Sequence, residues 1–284
     1  MNRRKKKKNK IQKIAPPIKP LKGIEVRYRK ELNKLGLMLI RSINKEILPV
    51  IKAGQSQYMV DSVSSNLEVI FERLNKQFTG TLIAAFAQNL STTVVEETSK
   101  TNEEKFNKSI RKATGVDLGS VIQTEGLNEF LQSSVNKNVS LIKSIPEEYF
   151  KQIETIVNNG IASGAKYQTI AKEIQAIPNI KLKKPGGANY KLVNRIKTIA
   201  RNEVSTINAQ LTKRRSESLG ITEGIWRSSE DESVRKCHRI RNGKKFNLKK
   251  GLYSSCDGKN LYPGEEINCR CTYSPIIDIE REAA

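Results

Sequence analysis

Five side chains that can bind a metal through nitrogen or sulfur lie close together near the C-terminus. They are Cys237, His238, Cys256, Cys269 and Cys271, and His238 is the only histidine of the chain. Zinc takes about four such ligands in a tetrahedron, and sites with three cysteines and one histidine are common. The sequence therefore predicts a zinc site formed by His238, Cys256, Cys269 and Cys271. Such a site would stabilise a segment rich in loops, because metal binding then contributes directly to folding.

Two other interpretations of the same residues stay open. The Cys-x-Cys spacing of Cys269 and Cys271 places both thiols on one side of an extended segment, where they share a metal or only pack. In the second interpretation the cysteines are small buried hydrophobic residues and His238 bonds a backbone carbonyl. In the third, a local disulfide forms, although such bonds are rare in a reducing cytosol.

The cluster does not by itself predict catalysis. A thiol peptidase needs a base beside its nucleophile and a third group that orients the base, and the local motif specifies no such geometry. A metal nuclease would require His238 to act both as a ligand and as a base. We therefore expect no enzyme, and a Cys/His-dependent hydrolase remains an alternative.

A second group of candidate functional residues is cationic. The chain carries 51 Lys and Arg against 29 Asp and Glu, a formal net charge of +22, and its first 24 residues contain no acid. The charge predicts a disordered basic arm over residues 1–24 that binds DNA phosphates. The arm has no aromatic residue, so we expect no base preference. A solubility tail and a contact to an acidic protein surface are the alternatives. The predicted nucleic-acid-binding residues are Arg3, Arg4, Lys5, Lys6, Lys7, Lys8 and Lys10.

Apolar spacing predicts the elements that position these residues. Apolar residues recur at steps of three and four over residues 67–94, which indicates a helical hairpin or stalk that Gly80 interrupts without breaking. Pro49 is expected to end or kink one helix, and another is expected to begin after Pro146. A further helix over residues 192–211 can end at Gly220.

The composition of the sequence changes after Gly220. Apolar runs become short and glycine and proline become frequent, which predicts short strands and loops. The predicted fold is a mainly α N-terminal region with a small α+β C-terminal module. The predicted domains are the arm (residues 1–24), a helical region (residues 25–138) and a C-terminal domain (residues 139–284).

The second half of the chain carries an ordered series of short motifs. They are residues 199–203 (Ile-Ala-Arg-Asn-Glu), Asn208-Ala209, Gly220, Trp226, Asp231 with Val234-Arg235, His238, residues 242–244 (Asn-Gly-Lys), Pro263-Gly264 and residues 268–272 (Asn-Cys-Arg-Cys-Thr). Over roughly residues 140–275 this series resembles the phage Mu F-like minor head, or head morphogenesis, family. Asn202 stands where that family usually has Thr, and Cys237 where Ser or a similar residue is frequent. The resemblance supports His238, Cys269 and Cys271, but not Cys237 or Cys256.

The resemblance implies a virion component present in few copies, located inside the head near the portal and assembled in the host cytoplasm. It implies the portal protein, double-stranded genome DNA and a scaffold or major capsid protein as partners, in procapsid assembly and in DNA packaging or ejection. No apolar run approaches the roughly 18 residues of a membrane span, so we expect no membrane partner. The alternative is a sequence-nonspecific nucleic-acid-binding protein unrelated to virions.

Overall fold

A computed structural model describes residues 9–54, 60–117, 126–177, 192–232 and 234–281. Contacts within the chain divide it into two units that alternate along the sequence. Unit 1 comprises Met1–Ile24, Val95–Leu131 and Asn202–Ala284, and unit 2 comprises Glu25–Val94 and Gln132–Arg201.

Helices dominate the described part of the chain. They are α1 (Lys22–Ser42), α2 (Leu48–Gly54), α3 (Val60–Thr79), α4 (Thr81–Thr114), α5 (Asn128–Ala162), α6 (Tyr167–Ala176), α7 (Leu192–Ser218) and α8 (Lys236–Arg241). A π-helical turn, Ile43–Ile47, joins α1 to α2. None of the helices in the described residues combines the length and the apolar character that a membrane span requires.

Short strands form two antiparallel sheets. They are β1 (Asn9–Ile14), β2 (Glu223–Arg227), β3 (Lys245–Asn247), β4 (Leu252–Ser254), β5 (Lys259–Leu261) and β6 (Thr272–Arg281). The larger sheet has the order β1-β6-β2-β3, and β4 pairs with β5 in a separate hairpin. A helical region followed by a small module of short strands confirms the predicted fold class.

The core of unit 2 consists of helix faces. Phe78 of α3 and Phe150 of α5 meet edge to face, with ring centroids 5.5 Å apart, an arrangement that adds to the burial of both rings. One buried polar contact accompanies them, since the Tyr28 hydroxyl donates to Asn138 Oδ1 at 2.9 Å. These apolar faces follow from the three- and four-residue spacing in the sequence.

The core of unit 1 combines α4 with the sheet and the loops around it. Phe106 and Ile110 of α4 pack in one cluster with Trp226 and with Cys269 and Cys271. Beside this cluster lies a buried polar layer that joins α4 to α7. Its central contact is Asn102, which donates to Asn208 Oδ1 at 2.9 Å and accepts from the Arg215 guanidinium at 2.5 Å. Buried polar groups that satisfy each other in this way fix which helix faces meet.

The predicted arm differs from the structure over residues 9–24. Residues 9–14 form β1, which pairs along its whole length with β6, and Ala15, Ile18 and Leu21 are buried. Ser109 of α4 donates to the Pro16 carbonyl at 2.5 Å. The expectation of a disordered segment is therefore wrong for residues 9–24. Ala15, Ile18, Leu21 and Ile24 bury their side chains, whereas Ile11 and Ile14 stay exposed and β6 pairs with the backbone of residues 9–14.

Three helix boundaries also differ from the expectation. Pro146 lies inside α5, which runs unbroken from Asn128 to Ala162, because buried side chains on both sides of it offset the missing N–H group. The predicted domain boundary at residues 138/139 falls within this same helix. Pro49 is the second residue of α2 and directly follows the π-helical turn Ile43–Ile47, so the helical run from α1 continues past it rather than ending there. Gly80 does break the long stripe, since α3 ends at Thr79 and α4 begins at Thr81.

The role of residues 9–24 in the core can be tested at Ile18, whose side chain is only 3% exposed. We expect Ile18→Ala to lower the free energy of unfolding by about 2–5 kcal/mol, because it leaves a cavity in the core of unit 1. Urea denaturation followed by the fluorescence of Trp226, the only tryptophan, reports on that same core. The neighbouring Lys19→Ala, on an exposed side chain, should stay within about 0.5 kcal/mol. Equal stabilities for the two variants would contradict this packing.

Candidate metal centre

Two elements of unit 1 supply the candidate ligands. His238 lies on the short helix α8, within the connection between β2 and β3. Backbone bonds fix this connection, since Gly243 N donates to Trp226 O at 2.8 Å and Trp226 N donates to Lys244 O at 2.9 Å. The helix therefore cannot move far from the sheet.

Cys269 and Cys271 lie in the segment that leads into β6. A turn precedes them, in which Cys269 N donates to Glu266 O at 2.9 Å. Asn268 has a positive φ of 60°, and its N–H donates to Asn202 Oδ1 of α7 at 2.7 Å. Asn tolerates this left-handed conformation better than most side chains. The motif residues Asn202 and Asn268 thus position the two cysteines.

The three side chains meet in the interior of unit 1. His238 Nδ1 lies 3.2 Å from Cys271 Sγ and 3.4 Å from Cys269 Sγ. One ligand atom from each residue lies within 4.8 Å of the others, and all three residues are buried. One imidazole nitrogen and two sulfurs form a donor set that suits zinc and other metals of similar softness. The arrangement can hold a metal ion.

The sulfurs and the imidazole shift one another's protonation. A hydrogen bond from Cys271, aided by His238, lowers the pKa of the Cys269 thiol to about 4. The same hydrogen bond with Cys269, together with burial, raises the pKa of Cys271. The hydrogen bond to Cys269 raises the pKa of His238. The cluster thus stabilises a thiolate, which is the form of cysteine that binds metals.

Three further side chains surround the cluster. Glu266 Oε2 lies 2.8 Å from His238 Nε2 and 3.5 Å from Arg241 Nη2. The Arg241 guanidinium stacks on the Trp226 ring, 4.6 Å from its centroid. Among the described residues, Trp226 Nε1, Arg241 Nη1 and His238 Nε2 itself are buried without a hydrogen-bond partner. Buried N–H groups of this kind usually have an acceptor, so their position beside a sulfur site is informative.

Cys256 does not join the predicted ligand set. It forms a disulfide with Cys237, with the two Cα atoms 6.2 Å apart, and Cys269 and Cys271 are free thiols. Cys237 lies beside His238 on α8, and Cys256 lies in the exposed turn between β4 and β5. The prediction of Cys256 as a ligand is therefore corrected. The bond is the local disulfide that the sequence left open, and closing a loop of this size stabilises by about 3 kcal/mol.

The predicted nucleic-acid-binding residues lie mostly outside the described residues. Arg3, Arg4, Lys5, Lys6, Lys7 and Lys8 precede the first described residue, Asn9. Lys10 lies in β1, where its backbone is paired with Glu280 of β6. These residues remain a prediction from charge.

Sequence reasoning missed the participation of Glu266 and Arg241. Glu266 precedes the Asn-Cys-Arg-Cys motif by two residues, and Arg241 follows His238 by three. Neither Glu266 nor Arg241 belongs to a sequence motif that would single it out. Their role depends on the turn at Asn268 and on α8, which bring both beside the imidazole.

The mainly helical region, the small antiparallel module and the His/Cys cluster are the features that apolar spacing and ligand types predicted. Residues 151–274 match the family model described as Phage Mu protein F like protein. The match confirms the resemblance over residues 151–274.

A relative extends the similarity beyond the family model. The chain is 24% identical over 266 residues to an uncharacterized protein of Haemophilus influenzae. The aligned region covers 92% of this chain and 55% of the relative, so the chain spans about half of the length of that protein. No solved structure matches the chain.

Proposed function

We propose that this protein is a minor component of a phage head that acts at the portal vertex, in procapsid assembly and in the packaging or ejection of DNA. The observation that carries the proposal is the match of residues 151–274 to the Mu F-like family model. The portal protein is the main partner in this proposal, and a scaffold or the major capsid protein is a further one. The protein acts in few copies, inside the virion and without turnover.

Genome DNA is the second partner in this proposal. The formal charge of +22 and the cations of residues 3–8 support contacts to phosphates. The position of β1 supports this role. β1 begins directly after these cations and pairs with β6, so it anchors this end of the chain to unit 1. Phosphate contacts of this kind hold DNA without reading its sequence.

We assign zinc to the cluster of His238, Cys269 and Cys271, which supplies three of the four ligands that zinc usually takes. In this proposal the cluster serves structure rather than catalysis. Two thiolates and an imidazole are typical zinc donors, and the three residues are 3–4% exposed. The cluster joins α8 to the segment before β6. A metal at this place stabilises the module through the free energy of binding.

The role at the portal predicts that the protein co-purifies with procapsids assembled in the presence of portal protein and is absent from those assembled without it. Quantitative mass spectrometry of both kinds of particle measures its copy number, which we expect to be small compared with that of the major capsid protein. Equal incorporation without portal would contradict portal docking. A protein that stays outside all particles and retains DNA would instead be a nucleic-acid-binding protein of another system.

The DNA role predicts a loss of affinity when Lys5, Lys6, Lys7 and Lys8 are changed together to Gln. Because each neutralised phosphate releases counterions, the slope of log K against log salt should shrink by about 0.9 for every phosphate that the variant no longer neutralises. Binding of a duplex of arbitrary sequence, measured by fluorescence anisotropy over a salt series, gives the slope. These substitutions leave β1 and the core in place, which deletion of residues 1–24 would not.

A matched control removes the same charge from exposed lysines of α4. They are Lys100, Lys105, Lys108 and Lys112. We expect this variant to keep most of the wild-type slope, since the proposal places the phosphate contacts at the N-terminus. An equal loss of affinity in both variants would mean that net charge alone holds the DNA, and the N-terminal site would be abandoned.

The zinc assignment predicts that native mass spectrometry finds one zinc ion per chain, which a chelator removes together with a fall in melting temperature. Cys269→Ser and Cys271→Ser should lose the ion because each removes a thiolate ligand. Cys256→Ser should retain it, because Cys256 is bonded to Cys237. Loss of zinc in Cys256→Ser would restore Cys256 as a ligand. An unchanged mass and melting temperature after chelation would remove zinc from this protein.

A further inference from the structure

We propose that Glu266 and Trp226 act as positioning residues of the metal site. With the metal bound, His238 Nε2 donates a hydrogen bond to Glu266, which leaves Nδ1 to bind the metal, and Trp226 Nε1 donates to the ligand sulfur of Cys271. This inference rests on the proposed zinc site, and it assigns residues that surround the ligands rather than the ligands themselves.

The orientation of the imidazole supports the role of Glu266. Nδ1 faces both sulfurs, at 3.2 Å and 3.4 Å, and Nε2 faces the Glu266 carboxylate at 2.8 Å. A metal-binding imidazole carries its proton on the nitrogen that does not bind the metal, and a carboxylate beside that nitrogen selects this tautomer. Glu266 and the two sulfurs thus lie on opposite sides of one ring, as the role requires.

Glu266 is itself held in place on both oxygens. Arg235 Nη1 lies 3.2 Å from Oε1, and the second amino group of Arg235 donates to Ile267 O at 2.7 Å. Arg241 lies 3.5 Å from Oε2. Because both oxygens already face cations or the imidazole, the carboxylate orients His238 and does not replace a ligand.

An unpartnered N–H group supports the second half of the proposal. Trp226 is fully buried, yet its Nε1 has no hydrogen-bond partner among the described residues. Trp226 packs in one buried cluster with Cys271, and it pairs across the sheet with Tyr273, two residues further along the chain. A thiolate that binds a metal accepts hydrogen bonds from such donors, and these bonds reduce its charge. The orphaned indole N–H therefore has an acceptor when Cys271 is a ligand.

The charges of the buried groups also balance with a divalent ion in place. Two thiolates neutralise the ion, His238 stays neutral, and Glu266 neutralises Arg241. Buried charges are tolerated when each has a partner of this kind. A pair of thiolates without the ion would leave negative charge uncompensated in the core of unit 1.

The test is the zinc affinity of Glu266→Gln, measured in competition with a chromophoric chelator on the full chain. We expect one zinc ion still to bind, with an affinity about 10- to 100-fold lower, as is typical when a carboxylate beside a ligating histidine is removed. Glu265→Gln is the matched control. Glu265 is the neighbouring exposed carboxylate, which accepts from Tyr262 N at 2.9 Å, and its removal should leave the affinity within about twofold.

Two spectroscopic readouts separate positioning from mere folding. Nitrogen NMR of the only histidine should show the Nε2-protonated tautomer in the zinc-loaded wild type and a mixture in Glu266→Gln. In the cobalt-substituted protein, Trp226→Phe should shift the sulfur-to-cobalt charge-transfer band, because a sulfur that loses a hydrogen bond donates electrons more readily. Glu265→Gln should change neither signal.

The outcomes distinguish this inference from the zinc assignment. A wild type that binds no zinc overturns both. A wild type that binds zinc, with Glu266→Gln equal to it in affinity and tautomer, overturns the role of Glu266 alone. An unshifted cobalt band in a folded Trp226→Phe overturns the role of the indole N–H.

Discussion

The contact of one imidazole with two sulfurs is the constraint on which unit 1 depends. His238 belongs to α8, and Cys271 directly precedes β6, the strand that pairs with both β1 and β2. Fixing Cys271 against His238 therefore fixes where β6 begins, and a shift by one residue would turn each of its side chains to the opposite face of the sheet. Tyr273 and Ile276 are buried in the present register. The small buried cluster thus constrains the start of the strand that pairs with both β1 and β2.

The motif residues in α7 contact the same part of unit 1. Asn202 accepts from the N–H of Asn268, and Asn208 joins the buried polar layer around Asn102. Gly264 has a φ of +83°, and a Cβ atom there would lie 2.8 Å from that of Ala209. Only glycine combines that backbone conformation with so close an approach. Motifs that are far apart in the sequence thus contact each other where α7 meets the loop before Cys269.

Local sequence patterns predicted the features that depend on interactions between residues close together in the sequence. The spacing of apolar residues predicted the helices and the change to short strands after Gly220, and ligand chemistry singled out His238, Cys269 and Cys271. β1 escaped prediction because its partner is far away in sequence, as the Gln12–Asp278 hydrogen bond shows, and because nearly all its neighbours are charged. The disulfide of Cys256 was not predicted, because a cysteine can either bind a metal or bond to a second cysteine, and the residue type alone does not decide between them. Only the fold brings Cys237 within reach of it.

The disulfide and the His/Cys cluster link different parts of the module. The Cys237–Cys256 disulfide ties α8 to the β4–β5 hairpin, which forms its own small sheet. The His/Cys cluster ties α8 to the start of β6, and β1 pairs in the sheet with β6. Reducing the disulfide therefore frees a hairpin, whereas opening the cluster weakens the strand that holds β1. The cations of residues 3–8 directly precede β1 in the chain, so their attachment to unit 1 depends on the cluster and not on the disulfide.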